Sequence, residues 1–308
     1  MGQSLSSPVA IFIYRRGILA AGVMEVIRRV KPSRLWIIAD GPKGSWEEEG
    51  VKDCRQRVES GIDWSCEIRK VYSPTNLGLR QRMETGLDAV FSQEEQAILL
   101  EEDCSPTEDF FPFCEELLDR CRPEANVGGI SGNCFLPVSA GIHTDYFFSR
   151  YLQIWGWATW ARAWREYDRT RWSWPDKGFR HFFPGAREDE TRYWNRVYAR
   201  VVSGEIDTWD YRWVADLWRR GMVSITPSQN LVLNLGFGPG ATNTKDQDVE
   251  TGVERNERLD PPYRGPDTIR PNEALDRAVF ENHFLRTEGR LGLIPRLLRS
   301  LHKRLGRS

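Results

Sequence analysis

The chain is predicted to be α/β, with a mixed but mostly parallel sheet flanked by helices. Three observations carry this. Short apolar runs bounded by turn signals read as buried strands. They alternate with segments whose apolar residues recur at helical spacing. Polar clusters follow directly on the strands, where open α/β sheets place their ligands.

In chain order, Val9 to Tyr14 (VAIFIY) is the first strand, closed by Arg15-Arg16-Gly17. Ile18 to Val30 is a helix by the spacing of Leu19, Val23, Val26, Ile27 and Val30, ending at Lys31-Pro32. Leu35 to Ala39 is the second strand, stopped by the turn Asp40-Gly41-Pro42. A polar helix covers Trp46 to Ser60, and Cys66 to Tyr72 is a third, weaker strand. Asn76-Leu77-Gly78 is a turn before a helix over Leu79 to Phe91. Ala97 to Leu100 is the fourth strand and runs straight into Glu101-Glu102-Asp103. Phe110 to Cys121 is helical, and Val127 to Ser131 and Tyr146 to Tyr151 are strand-like. A helix opens near Asp207 and runs to Arg220, followed by a short strand at Val223 to Thr226.

Arg15-Arg16, Asp40, Asn76 to Gly78 and Glu101 to Asp103 all fall at strand ends. In a parallel sheet they converge on one edge, although they span much of the first hundred residues. Three carboxylates at a buried strand end repel one another and lose water. A divalent cation that also holds a diphosphate would relieve this, because hard cations share oxygen ligands with phosphates. The competing reading is a solvated acidic turn. For Asp40, turn chemistry alone accounts for the residue.

Composition excludes some classes. The chain has 308 residues and a formal net charge of −1, which gives no electrostatic match to nucleic acid. Its six cysteines form no CxxC pair and fit no zinc spacing, so they are expected to be reduced and mostly buried, in a cytoplasmic setting. Residues 1–8 read as no signal peptide, and no run of about eighteen apolar residues reads as a membrane span. Many of the thirteen tryptophans, ten in all, lie from Trp155 to Trp218. Large aromatics most often build core, yet their faces also pack well on sugar C–H surfaces. None of the four histidines shows ligand spacing.

Three units are expected: 1–245 as the main domain, 246–271 as a charged, proline-rich extended linker, and 272–308 as a helical basic tail. Leu235 to Thr244 is glycine-rich and suits either a connector or a lid. Over 286–308, Leu291, Ile294, Leu297, Leu298, Leu301 and Leu305 alternate with arginines and lysines as in a basic amphipathic helix. It would lie on the inner face of an anionic membrane as a peripheral contact, or dock on the domain with its basic face in water.

The order strand–Arg-Arg, strand–Asp-Gly, Asn-Leu-Gly, Leu-Leu-Glu-Glu-Asp, then Ile-Trp-Gly-Trp-Ala-Thr-Trp and Trp-Asp resembles GT-A-fold (Rossmann-like) nucleotide-diphospho-sugar glycosyltransferases. It is most similar to a bacterial group near the N-acetylglucosaminyltransferase I branch. The resemblance covers about residues 8–244, and Leu100 to Phe113 (LEEDCSPTEDFFPF) is its most specific part. It implies an inverting, metal-dependent transferase that uses Mn²⁺ or Mg²⁺ and moves a sugar from a UDP-sugar or similar donor to a glycan or lipid-linked acceptor. It further implies that Tyr14, Arg16, Asp40, Asn76, Gly78 and Arg80 line the nucleotide site. Glu101 and Glu102 would lie near the sugar and ribose hydroxyls, Asp103 would bind the metal, and Asp210 would be the catalytic base. Trp155, Trp157, Trp160 and Trp209 would pack on sugar rings. The sequence departs from the usual Glu-Asp-Asp of that branch at Glu102. A sugar nucleotidylyltransferase is the rival enzyme class, but only Gly17 follows the first strand where a glycine-rich phosphate loop is needed. A non-catalytic carbohydrate-binding protein is the third reading.

Overall fold

The computed structural model describes residues 4–137, 140–169, 173–236 and 258–285. Its elements, in order, are β1 (Val9–Ile13), α1 (Gly17–Val30), β2 (Arg34–Ala39), α2 (Ser45–Ser60), β3 (Glu67–Tyr72), α3 (Leu79–Phe91), β4 (Gln96–Glu101) and β5 (Cys104–Pro106). They continue with α4 (Phe110–Arg120), β6 (Val127–Ser131), β7 (Tyr146–Ser149), β8 (Trp157–Trp160), α5 (Ala161–Arg165), α6 (Glu188–Val202), α7 (Asp210–Arg219), β9 (Val223–Pro227), β10 (Val232–Asn234) and α8 (Glu273–Val279). A π-helical turn, Phe280–Phe284, extends α8.

Eight strands form one sheet in the order β3-β2-β1-β4-β8-β6-β9-β7. The half β3-β2-β1-β4 is parallel throughout. β8 runs antiparallel between β4 and β6, which leaves β4 and β6 pointing the same way. The sheet is therefore mixed α/β with a Rossmann-like parallel half, as expected.

Alternation along each strand sends side chains to opposite faces. Ile11, Ile13, Leu35, Ile37, Ile98 and Leu100 pack with α1, α2 and α4. Ala10, Phe12, Trp36, Ile38, Ala97 and Leu99 pack with α3, α5 and α7. A third cluster gathers Trp194, Tyr198, Trp218 and Phe280 between α6, α7 and α8.

The described part of the expected linker and tail packs into this same body. Tyr263 is 1% exposed within the main cluster, and Phe280 is fully buried in the third. Asp276 of α8 accepts hydrogen bonds from Ser149 and from the backbone N–H of Arg150. The apolar residues of 258–285 thus seal core surface, so a boundary at residue 245 or 271 does not separate units here. The amphipathic segment 286–308 and most of the glycine-rich loop, residues 237–244, lie outside the described residues. Among the described residues no helix is long and apolar enough to cross a membrane. The six cysteines are free; Cys66 is half-buried and the other five are buried.

Candidate active site

The parallel half of the sheet aims four chain ends at one edge. β1 ends at Ile13 and turns through Tyr14, Arg15 and Arg16 into α1. β4 ends at Glu101, so Glu102 and Asp103 meet that turn. The Arg16 guanidinium bridges the two acids: Nε lies 2.7 Å from Glu102 Oε1, and Nη2 lies 2.8 Å from Asp103 Oδ2. The other Glu102 oxygen accepts the Tyr14 backbone N–H at 2.6 Å. Glu102 is 4% exposed. Its longer arm reaches back under the β1 turn, so its carboxylate holds Arg16 and the loop. The Tyr14 hydroxyl donates to Glu47 on α2, which fixes the same turn from outside.

Asp40 follows β2 and is 5% exposed. One oxygen accepts the N–H groups of Gly41 and Leu77, each at 2.9 Å. The second accepts from Asn76 Nδ2 at 3.0 Å and from the Gly78 N–H at 3.1 Å. Asp40 therefore staples the turn after β3 to the end of β2. Gly78 has φ +79, a region that disfavours side chains, and leads into α3. Arg80, the second residue of α3, pairs through Nε with Asp207 at 2.5 Å and so ties α3 to the loop before α7.

Asp210 opens α7, and its carboxylate accepts the Thr208 hydroxyl. Burial raises its pKa. Glu101 is pushed up to about 8, first by burial, then by the charges of Asp103 and Asp210, with Arg16 opposing. The fold thus brings the acidic tip of β4 and the start of α7 together, although they are far apart in sequence.

A short ladder closes the tip. β5 pairs antiparallel with β10, and the Leu235 N–H donates to the Asp103 carbonyl at 2.8 Å. A Cβ on Gly236 would come within 2.0 Å of Asp103 Oδ2, so a larger residue there would displace that carboxylate. Among the described residues no group of three or more His, Cys, Asp or Glu could hold a metal ion. Asp103 and Glu101 are two carboxylates that could offer hard oxygen ligands at the tip. That fits Mg²⁺ or Mn²⁺ of the kind that takes its other ligands from phosphate and water.

The tryptophans divide. Trp157 and Trp209 stack on each other with centroids 5.5 Å apart, and each is 1% exposed. Trp160 is equally buried, and its indole N–H donates to the Leu118 carbonyl at 3.0 Å. These three build core between the sheet and its helices, so they do not offer faces to a sugar. Trp155 is half-buried and meets Phe135 edge-on at 5.0 Å. Sequence reasoning missed Phe135 and the β5–β10 ladder. Three-residue strands carry no periodicity that could reveal them.

No family profile matches the sequence, and no curated protein aligns with it. Among solved structures, the glycosyltransferase GlyE of Streptococcus pneumoniae TIGR4 is similar at 10% identity and TM-score 0.36, over 71% of this chain and 45% of that one. A UDP-glucose pyrophosphorylase complexed with UDP-glucose is similar at 10% identity and TM-score 0.27, over 47% of this chain and 62% of that one. The chain thus spans less than half the length of the first. Both TM-scores are too low for either likeness to bear on the site.

Proposed function

We propose that this chain is a GT-A-type glycosyltransferase that takes its sugar from a nucleotide-diphosphate donor, a UDP-sugar, and inverts the anomeric carbon. The single observation behind the reading is the meeting of Arg16, Asp103, Glu101 and Asp210 at the carboxyl edge of the sheet. Loss of a sugar leaves negative charge on a diphosphate, and Arg16 at the end of β1 is positioned to oppose it. Asp103 would hold Mg²⁺ or Mn²⁺, which when bound supplies further positive charge to the leaving diphosphate. The loop Asn76 to Gly78, held by Asp40, forms the wall for the nucleoside. Burial makes Asp210 a stronger base, suited to take the proton of an acceptor hydroxyl. The acceptor is a glycan or glycolipid hydroxyl.

The arrangement is also compatible with sugar nucleotidylyl transfer, but that chemistry needs no buried base across the tip from the nucleotide side. The test is a thermal-shift screen of UDP-sugars with Mn²⁺, followed by assays of UDP release with candidate acceptors. A donor should raise Tm by mass action. Asp103→Ala should abolish the metal-dependent part of the shift, and Asp210→Ala should keep it while losing transfer. Full transfer by both variants would end the reading.

A further inference from the structure

Most arginines at the carboxyl edge of the parallel half are already engaged. Arg15 pairs with Glu47 at 3.3 Å, and Arg16 with Glu102 and Asp103 at 2.7 and 2.8 Å. Arg80 pairs with Asp207 at 2.5 Å, and Arg55 donates to the carbonyls of Asp40 and Ser73 at 2.9 Å each. Arg82 differs. It is 7% exposed, yet among the described residues it makes no hydrogen bond and no ion pair. Its Nε is enclosed within the protein, whereas Nη1 and Nη2 are not.

The packing of α3 fixes where that guanidinium lies. A Cβ on Gly86 would come within 2.5 Å of Phe12 on β1 and 2.7 Å of Ile38 on β2, so the helix rests directly on those strands. Arg82 is on the same face, one turn nearer the start of α3. It therefore stands toward the ends of β1 and β2, and helical side chains lean toward the helix N-terminus. The charge it feels is that of Asp40, whose carboxylate holds the Leu77 and Gly78 N–H groups immediately before α3. Each Asp40 oxygen already accepts two N–H groups, so Asp40 gives Arg82 no hydrogen bond.

The helix start beside Arg82 is itself open. The N–H groups of Leu79, Arg80 and Gln81 have no partner among the described residues, Gly78 brings no side-chain cap, and the first turn holds no acid. Free amides and the positive end of the helix dipole favour negative charge. A helix start alone would decide nothing. The second observation is a nine-tenths buried guanidinium, unpartnered and aimed at the same turn. A charge withdrawn from water in this way calls for an anion with acceptor oxygens.

We propose that Arg82 and the first-turn amides of α3 bind a phosphate group of the nucleotide donor. The source of the phosphate rests on the donor reading given above; the anion site does not. The planar fork of a guanidinium matches phosphate oxygens, and three amides add donors along one side. Arg16 comes to the diphosphate with its charge shared between two carboxylates, so Arg82 is the less neutralised of the two.

The test is calorimetry of the full chain in Mg²⁺ with UDP, uridine and inorganic pyrophosphate. Wild type should bind UDP at least tenfold tighter than uridine and should bind pyrophosphate. Arg82→Met should raise the Kd of UDP and of pyrophosphate at least tenfold and leave uridine within twofold; Arg82→Lys should recover part of the loss. An unchanged Kd for UDP in Arg82→Met overturns the phosphate site, as does an equal fall for uridine and UDP, and the donor reading survives both. Pyrophosphate bound by wild type and lost in Arg82→Met, with neither UDP nor uridine bound, keeps the anion site and removes the donor reading. No binding of any probe overturns both. If Arg82→Met fails to fold, the wild-type ¹⁵N–¹H resonances of Leu79, Arg80 and Gln81 decide: they should move on adding pyrophosphate, and unmoved resonances overturn the site.

Discussion

Asp40→Ala separates two roles for one carboxylate. In the structure Asp40 accepts four hydrogen bonds and is 5% exposed, so its first duty is to the loop Asn76 to Gly78. Bonds to a charged group contribute about 1.5–3 kcal/mol each in burial, and less where the donor can turn to water. Asn76, Leu77 and Gly78 are half-exposed and can recover water; the Gly41 N–H is buried and cannot. Counting one unmet buried donor and three partly compensated ones gives a loss of about 2–4 kcal/mol on truncation. Removing the cost of burying the carboxylate puts the net toward the lower end. Urea unfolding at pH 7 reads this directly as a fall in midpoint at constant m. Hydrogen exchange at the Leu77 and Gly78 amides should quicken by at least tenfold, because the latch is local. UDP affinity should fall in parallel, through a loosened wall. If Asp40 acts instead by touching the base alone, stability and exchange stay at wild-type values while UDP affinity drops. A midpoint change worth less than about 0.5 kcal/mol, with unchanged exchange, would refute the latch, since that is the scatter of ordinary surface substitutions.

The other predictions concern the tip and the core. Glu101 has a folded pKa near 8 against an ordinary 4.5, so the folded state holds the extra proton between those values. Its contribution to stability therefore falls as pH rises through that window, and Glu101→Gln should flatten the slope of urea stability between pH 5 and 8 in EDTA; parallel slopes would contradict this. Gly236→Ala drives a methyl into Asp103 Oδ2, and should weaken Mn²⁺-dependent UDP binding about tenfold by calorimetry. Trp157→Ala should cost about 3–5 kcal/mol of stability, as buried aromatic truncations do; a loss of activity without that cost would return Trp157 to the site.

Much of the architecture was legible because its elements are long and strongly patterned. The first four strands and the helices between them follow from apolar runs and helical spacing, and their ends fall within a residue or two of those expected. The meeting of Arg16 with the acidic triplet follows from parallel strand order. What could not be read is which face each polar side chain turns to. Glu102 and Asp103 are adjacent, yet the chain direction at the end of β4 buries one and leaves the other near the surface. Asp40 and the turn after β3 both lie at the expected edge, but that one holds the other is a matter of atoms, not of pattern. The Trp-rich stretch misled for a simple reason: alternation along β8 puts Trp157 on one face of the sheet and Trp160 on the other, and both faces are covered. α6 has an apolar stripe at helical spacing (Tyr193, Trp194, Val197, Tyr198, Val201), but its many charges and aromatics hide it from a search for aliphatic runs.

The strap formed by residues 258–285 has a practical meaning for anyone cutting this gene. A fragment ending at residue 245 would look complete by motif, yet it would leave bare the hollow filled by Tyr263 and the pit that receives Phe280, and Arg150 would lose the carboxylate of Asp276. Such a fragment should come out of cells as aggregate, so shortened versions for crystallography or screening are better stopped after residue 285.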